Sequence, residues 1–235
     1  MFQTLRDNYL FIREFTRRFE TTGSILPSSR SLASAITRHL ACRSAEPIRV
    51  LECGPGTGVF TNQIVHYLHS GDSFDVVELN PAFADFLRHR FATDRHWQTA
   101  ARIASVHQMP LQKFTPSDPY DFIISGLPHI NFPAAVVEQV LDCYLQLLKP
   151  GGTLSYFEYM YIRPIRKAMT LGIDRRRIKE VDALMNANLA KHQVCRDSIY
   201  LNVLPAWVQH LTHRPVPKID RTSDNTNESE KLQAE

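Results

Sequence analysis

A glycine-rich turn between two acidic residues is the part of the sequence best suited to hold a small molecule. Residues Glu52–Gly58 read ECGPGTG, after an apolar run predicted as a strand and before a predicted helix. Glycines in such a turn let bare backbone approach a ligand where any Cβ would collide. Glu78 lies 20 positions beyond Gly58, at the end of the next predicted strand, where a carboxylate can accept hydrogen bonds from both ribose hydroxyls. The spacing therefore predicts a nucleoside-binding site.

The order of these residues disfavours a dinucleotide. The glycines run G-x-G-x-G rather than G-x-G-x-x-G, and acidic Glu52 precedes them, where it can face an amino group of a cofactor. ECGPGTG resembles the first motif of class I methyltransferases, whose cofactor S-adenosylmethionine carries that group, and the resemblance extends through Glu78–Asn80 and the later turn Lys149–Gly152. It implies an S-adenosylmethionine-dependent methyltransferase. The alternative, a lone glycine turn in another α/β fold, must explain all three elements appearing in order.

The resemblance also implies which residues contact the cofactor. By family analogy, the residues after the third predicted strand flank the adenine. The predicted cofactor-binding residues are Ser24, Ile25, Glu52, Gly54, Pro55, Gly56, Thr57, Gly58, Glu78, Leu79, Asn80, His107, Gln108, Met109, Ser125, Gly126 and Leu127.

The segment Asp121–Pro128 ends a predicted strand, and ligands bind at strand carboxyl ends where the strand order reverses. We therefore expect the methyl acceptor here. In adenine and RNA dimethylases the corresponding segment has a motif similar to Asn-Leu-Pro-Tyr. This chain has Gly126 in place of the Asn and His129 in place of the aromatic residue. Flipped bases are recognised by stacking and edge hydrogen bonds, so these replacements disfavour a nucleic-acid substrate.

Taken as a whole, the chain is similar to bacterial phospholipid N-methyltransferases, which are related to RNA dimethylases. The similarity covers roughly residues 10–210 and rests on Gly23–Ser29, Ser125–Pro128 and Leu201–Val208. It implies methylation of phosphatidylethanolamine, and of its methylated products towards phosphatidylcholine. The chain has Val203–Leu204–Pro205 where that family has two successive prolines. Ornithine-lipid N-methyltransferases, which are close relatives, therefore remain an alternative, as does an RNA adenine N-methyltransferase.

The proposed chemistry needs few catalytic groups. Transfer from a sulfonium is an in-line displacement, but an alkylamine with a pKa of ~10.4 is mostly protonated at neutral pH, so a group must take or relay a proton. Candidates by position are Tyr159, His129 and Glu158, with Tyr159 favoured because its ring can also face a cation. The predicted lipid contacts, in which the arginines hold a phosphate, are Tyr9, Ser28, Arg163, Arg166, Arg175 and Arg176.

Strands alternating with helices position these residues. Apolar runs predict strands at 48–53, 74–79, 101–107, 120–125, 153–158 and 198–204, and helical periodicity predicts helices at 31–40, 60–68, 81–91 and 134–148. This pattern indicates a doubly wound Rossmann-like α/β fold, and the family resemblance implies a seven-stranded sheet. A basic helical insert over 161–191 is expected to interrupt the core before the last strands.

The N-terminal helix predicted over Phe2–Phe19 has an apolar stripe edged by arginines, which is typical of an interfacial helix among lipid headgroups. Packing on its own domain is the alternative. The predicted organisation is a helical cap and candidate membrane-interface helix over 1–45, a methyltransferase domain over 46–213 and a disordered tail over 214–235.

The amino-acid composition narrows the class of protein to which the chain can belong. The chain has 235 residues, 43% hydrophobic and 22% charged, with a net charge of +3, as expected of a globular domain. The sequence contains neither an 18-residue apolar run nor a leader-like segment, so we expect a cytoplasmic protein that is peripherally associated with the inner face of the membrane. The expected partners are anionic and zwitterionic lipids, and no stable nucleic-acid partner is expected. Four widely spaced cysteines predict neither a disulfide framework nor a metal site.

Overall fold

The computed structural model describes residues 30–160, 173–202 and 204–213, without the side chains of 173–175. In these residues a seven-stranded sheet has the order β3-β2-β1-β4-β5-β7-β6. The strands are β1 (Arg49–Cys53), β2 (Ser73–Glu78), β3 (Ala104–Gln108), β4 (Tyr120–Ser125), β5 (Leu148–Tyr159), β6 (Gln193–Ile199) and β7 (Ala206–Thr212).

The strand order reverses between β1 and β4, and this reversal locates the site. β1 pairs in parallel with β2 on one side and with β4 on the other. The connections that leave these two strands therefore turn to opposite sides, and a crevice opens at their carboxyl ends. The predicted parallel arrangement covers β1 to β5, whereas β7 runs antiparallel to both β5 and β6.

Helices cover both faces of the sheet. Within the described residues the α-helices are α1 (Arg30–Ile36), α2 (Arg38–Ala41), α3 (Val59–Ile64), α4 (Pro81–Thr93), α5 (Arg95–Gln98), α6 (Ala134–Leu147) and α7 (Ile173–His192). The helix predicted over 31–40 is divided at Thr37, whose hydroxyl donates to the Ala33 carbonyl at 2.8 Å. Such back-bonding by a threonine within a helix loosens the turn.

The two faces hold separate apolar cores. One core lies beneath α6 and α7 and includes Leu51, Tyr120 and Tyr144. The other lies beneath α1, α3 and α4 and includes Val50 and Trp97. Because side chains alternate along a strand, β1, β2, β4, β5 and β7 each supply both cores, and the centre of the sheet is fixed from both sides.

A buried ion pair fixes the start of β1. The Asp72 carboxylate accepts from both terminal nitrogens of Arg43 and from the backbone N–H groups of His69 (2.7 Å) and Ile48 (2.9 Å). Both side chains of the ion pair are almost fully buried. The end of α2 is thereby tied to the turn before β2.

The basic helical segment predicted before the last strands is helical in its described part, α7, and this part packs into the core instead of interrupting it. Within α7, Ile178, Val181 and Met185 are buried at helical spacing, and the last two belong to the core beneath α6. The arginines dominate the composition of this segment and conceal that apolar stripe.

Among the helices that the structure describes, none is long and apolar enough to cross a bilayer.

The closing strand predicted at 198–204 is wrong. This segment holds the end of β6 and the turn that leads into β7. In the turn Asn202 donates to the Leu204 carbonyl at 2.9 Å, and Pro205 follows, which has no N–H for a ladder. The predicted tail over 214–235 and the N-terminal helix over 2–19 lie outside the described residues.

Candidate active site

The glycine turn joins β1 to α3 in a conformation that glycine alone adopts readily. Gly54, Gly56 and Gly58 have φ values of 65°, 56° and 79°, a left-handed region that costs other residues about 1–2 kcal/mol each. A Cβ on Gly56 would meet nothing within 4 Å, whereas one on Gly58 would lie 2.5 Å from Trp97. Gly56 therefore presents open backbone to a ligand, while Gly58 also lets α3 pack closely.

Glu78, at the end of β2, is hydrogen-bonded to this turn. Its carboxylate accepts from the Gly56 N–H at 3.1 Å and from the Asn80 N–H at 2.8 Å. Asn80 in turn caps α4 by accepting from the Ala82 N–H at 2.9 Å. The backbone N–H groups of Gly56 and Asn80 hold the orientation of the Glu78 carboxylate, a group whose type and position at the end of β2 suit ribose hydroxyls.

Glu52 is fully buried beneath α3, with 0% of its surface exposed. One oxygen accepts from the Thr61 hydroxyl at 2.7 Å, and the other, Oε1, has no hydrogen-bond partner among the described residues. Burial, with a smaller contribution from the nearby Glu78 charge, raises the Glu52 pKa to about 8 against the opposing Thr61 hydrogen bonds. A buried carboxylate oxygen of this kind fits an ammonium group.

These features fit S-adenosylmethionine. The turn has open backbone at Gly56, Glu78 can hold a ribose, and the unpartnered oxygen of Glu52 suits the amino group of the donor. Pro55 is buried, Thr57 is exposed, and Leu79 packs against the core beneath α6. Their contacts to the cofactor remain predictions.

The predicted acceptor bend lies against the glycine turn. The Gly126 N–H donates to the Cys53 carbonyl at 2.9 Å. A Cβ on Gly126 would lie 2.5 Å from the Gly54 carbonyl oxygen, and one on Gly54 would lie 2.4 Å from Leu127. Gly126 is therefore required by packing, which explains why the chain cannot carry the dimethylase Asn at this position without moving the turn.

A buried polar network supports the bend from the face of α6. The Ser125 and Tyr144 hydroxyls are 2.5 Å apart, and Ser125 also accepts from the Leu127 N–H at 3.2 Å. Tyr144 lies 3.3 Å from Nε2 of His129, whose ring packs edge-on against Tyr156. Burial raises the Tyr144 pKa far above its ordinary value, so this residue stays a neutral phenol. Sequence reasoning missed Tyr144, because its only signal is one hydroxyl within an apolar helix.

The three predicted catalytic candidates do not converge. Glu158 and Tyr159 are successive residues of β5, so their side chains point to opposite faces. Tyr159 packs edge-on against Phe157 at 5.3 Å, and burial raises the pKa of its phenol. Glu158 accepts a long hydrogen bond from Gln209 at 3.5 Å. Of the three, His129 is the one that is hydrogen-bonded into the network of the acceptor bend.

The residues predicted to flank adenine follow β3. Met109 N–H donates to the Glu78 carbonyl at 3.2 Å, and exposed Gln108 pairs with Glu78 in the strand register. His107 is 2.6 Å from an Asp75 carboxylate oxygen and, like Met109, lines a cavity of about 310 Å³. The contacts of these residues to adenine stay a prediction.

The predicted lipid contacts are mostly untested. Arg176 is exposed on α7, where it pairs with Glu180 at 2.9 Å, and only the backbone of Arg175 is described. The remaining predicted residues lie outside the described part of the chain: Tyr9, Ser24, Ile25, Ser28, Arg163 and Arg166.

Comparison with known proteins gives the class of this site. Residues 50–152 match the family model described as a methyltransferase domain. The ornithine lipid N-methyltransferase of Singulisphaera acidiphila is 29% identical over 157 residues, which is 66% of this chain and 80% of that protein. An O-methyltransferase from Bacillus cereus, solved in complex with SAH, superposes with a TM-score of 0.62 at 14% identity over 84% of this chain and 88% of that one. The N-methyltransferase NodS of Bradyrhizobium japonicum has a TM-score of 0.55 at 16% identity over 79% of this chain and 96% of that one.

The family match and the structural neighbours confirm two predictions from the sequence. The fold is the Rossmann-like methyltransferase sheet, and the enzyme class is an S-adenosylmethionine-dependent methyltransferase. The region that matches the methyltransferase-domain model contains the glycine turn, Glu78 and the acceptor bend.

Proposed function

Since this chain carries an S-adenosylmethionine-dependent methyltransferase domain, we propose that it methylates the amine of a membrane lipid. The observation that carries the acceptor class is the similarity to an ornithine lipid N-methyltransferase, which spans 80% of that protein and so extends beyond the donor-binding motifs. Phosphatidylethanolamine, to which the sequence motifs point, offers the same chemistry, a primary amine on a lipid headgroup. We place ornithine lipid first because the relative acts on it.

The turn between β6 and β7 supports a lipid acceptor independently. Tyr200 and Leu201 are 68% and 82% exposed, and Leu204 is also exposed. Because Ile199 and Tyr159 both pair with Ala206, this turn lies at the carboxyl end of β5, the same edge of the sheet as the donor site. Exposed apolar side chains at that edge suit contact with a bilayer.

The chain's own residues supply binding and orientation. Glu78 and the glycine turn would hold the nucleoside, Glu52 the amino group, and the Ser125–Leu127 bend the acceptor amine. Bound S-adenosylmethionine would supply an activated methyl group on a sulfonium for in-line displacement. The amine gains that methyl group and loses one proton, which must leave the bend.

His129 is the group best placed to receive this proton. Its Nε2 is 3.3 Å from the Tyr144 hydroxyl, which is 2.5 Å from that of Ser125 in the bend. The two hydroxyls can relay a proton from the bend to the imidazole. Tyr159 packs on Phe157 instead, so the geometry favours His129 over the residue that the sequence favoured.

The relay gives a testable difference between two variants. His129→Gln is expected to lower kcat on the order of 10²-fold, the size of a general-base effect, and to leave donor affinity unchanged. Tyr159→Phe, which keeps the ring, is expected to keep kcat within a few-fold. Full activity of His129→Gln across the pH profile, or a large loss in Tyr159→Phe alone, contradicts the assignment.

The acceptor class is tested by offering lipids and RNA in parallel. The pure protein is incubated with radiolabelled S-adenosylmethionine and liposomes that contain ornithine lipid, phosphatidylethanolamine or neither, and with RNA in a separate arm. We expect label in lipid, with ornithine lipid labelled faster, and resolving the products also gives the number of methyl groups added. Label in RNA alone refutes the lipid assignment, and donor binding without turnover on any acceptor favours a sensor or scaffold.

Membrane association is a separate part of the proposal. A cytoplasmic, peripheral enzyme would reach its lipid from the membrane surface, and the sequence pattern predicts an amphipathic helix over residues 2–19. Removing Met1–Glu20 is expected to reduce co-sedimentation with anionic liposomes while methyl-donor binding persists. Undiminished sedimentation of the shortened protein counts against this role of the helix.

A further inference from the structure

Three potential metal ligands meet at a place that their sequence spacing does not reveal. His39 lies on α2, Cys195 on β6 and His210 on β7, and their ligand atoms all lie within 4.8 Å of one another. The two imidazole rings meet edge-on with centroids 4.6 Å apart. Asp197 adds a carboxylate oxygen 3.3 Å from Nε2 of His210. Two imidazoles, a thiol and a carboxylate form a ligand set that suits zinc.

Two of the distances between these atoms agree with tetrahedral coordination. Zinc bonds of about 2.3 Å to sulfur and 2.0–2.1 Å to nitrogen, at tetrahedral angles, separate the two ligand atoms by about 3.5 Å, and a nitrogen and a carboxylate oxygen by about 3.4 Å. The Sγ of Cys195 is 3.5 Å from Nε2 of His39, and Nε2 of His210 is 3.3 Å from Asp197. Two edges of the tetrahedron are therefore already present, and separations of up to 4.8 Å among the other ligand atoms would have to shorten when the metal binds.

Neighbouring groups orient the ligands. Nδ1 of His210 is 2.8 Å from the Ser155 hydroxyl, in a fully buried contact. When Nδ1–H donates to that hydroxyl, the lone pair of the ring lies on Nε2, the nitrogen beside Asp197; metal-binding histidines are oriented in this way. Arg38 donates to the sulfur at 2.9 Å and to the other Asp197 oxygen at 2.6 Å, which leaves the oxygen nearest His210 for a metal.

The charges of the donor set suit a divalent cation. A thiolate and a carboxylate would balance the two positive charges of the ion, and two neutral imidazoles would complete its coordination.

The cluster is separate from the methyl-transfer site. His210 pairs with Ser155 on β5, which pairs with Ile124 on β4, which pairs with Glu52 on β1. At about 4.8 Å per strand, His210 lies roughly 14 Å from Glu52 along the sheet. A cation here would connect α2 to the β6–β7 hairpin and would not touch the reacting atoms.

We propose that His39, Cys195 and His210, with Asp197 as the fourth ligand, form a structural zinc site that fixes α2 to the β6–β7 hairpin. The sequence predicted no metal because its ligands are 156 and 15 residues apart. Only folding of the helix onto the edge of the sheet brings them together.

The test measures metal binding and does not depend on methyl transfer. The full-length chain, prepared without a histidine tag, is analysed for bound zinc by mass spectrometry, and cobalt is then substituted for zinc. We expect about one zinc per chain, a cobalt spectrum with a thiolate charge-transfer band, and a lower melting temperature after chelation. Absence of zinc together with absence of a cobalt–thiolate band overturns the proposal.

Matched variants separate a metal site from simple packing. Cys195→Ser is expected to abolish the charge-transfer band, and Ser155→Ala, which keeps all four ligands, to weaken zinc affinity ~10–100-fold. Cys42→Ser removes an exposed thiol three residues after His39 and is expected to bind zinc normally. Equal zinc affinity of Ser155→Ala, Cys195→Ser and the wild type refutes the site, and an effect of Cys42→Ser equal to that of Cys195→Ser refutes the ligand assignment.

Discussion

Replacing Glu52 by glutamine tests the electrostatics of the donor site. Glutamine keeps the size and the Thr61 hydrogen bond of Glu52 but cannot ionise. The Glu52 pKa is about 8 in the folded protein, compared with an ordinary value of 4.5. Between these values the unfolded chain has released a proton that the folded chain retains, so stability of the unliganded protein must fall as the pH rises.

The size of this effect follows from the shift. One pKa unit is worth 1.36 kcal/mol, so the rise from 4.5 to about 8 corresponds to a loss of at most about 5 kcal/mol at pH 8 and about 3 kcal/mol at pH 7. Well below pH 4.5 the carboxyl is protonated in both the folded and the unfolded chain, and the loss disappears. The gap in unfolding free energy between Glu52→Gln and wild type should therefore grow steadily from pH 5 to pH 8, with the variant more stable.

Urea denaturation at pH 5, 6, 7 and 8 measures this gap. Glu138→Gln is the matched control, since it neutralises an exposed carboxylate on α6, and its stability should run parallel to that of the wild type. S-adenosylmethionine should reverse the trend in the wild type alone, because its ammonium group favours the ionised carboxylate. Parallel curves for Glu52→Gln and wild type over the whole range would refute the account of this residue.

Three further substitutions test the fold and the acceptor edge. Gly126→Ala places a Cβ 2.5 Å from the Gly54 carbonyl oxygen, so we expect a loss of about 1–3 kcal/mol and weaker donor binding in calorimetry; wild-type values for both contradict the packing role. Asp72→Ala leaves a buried cation unpaired and should lower the free energy of unfolding by about 3–5 kcal/mol, measured with urea; a loss below 1 kcal/mol contradicts the described ion pair. Leu201→Asp should reduce methylation of lipid in liposomes without changing donor binding. Val194 is an exposed apolar residue at the other end of the same hairpin, and Val194→Asp should leave lipid methylation unchanged. If both variants reduce lipid methylation equally, the hairpin turn has no specific role in lipid contact.

The sequence predicted the parallel part of the fold because local signals are strong there. Each of β1, β2, β4 and β5 contains a short apolar run, and the glycine turn leaves little choice of conformation after β1. The closing hairpin was misplaced because β6 alternates half-buried and exposed residues at the sheet edge. The apolar turn residues after β6 have a stronger strand signal than the strand itself.

The candidate site was predicted where residues close in sequence act together and missed where the fold assembles them. The turn and Glu78 follow from spacing alone. By contrast, the Ser125–Tyr144–His129 network depends on how α6 packs on β4. The spacing of apolar residues in the sequence does not predict that contact. The same holds for the cluster of His39, Cys195 and His210.

A structure of the complex with S-adenosylhomocysteine tests the central claim most directly. The account predicts that a ribose hydroxyl lies within hydrogen-bond distance of the Glu78 carboxylate, that the amino group lies beside Glu52, and that the sulfur faces the Ser125–Leu127 bend. A nucleoside bound away from the Gly54–Gly58 turn, or a sulfur directed away from the bend, would contradict the account.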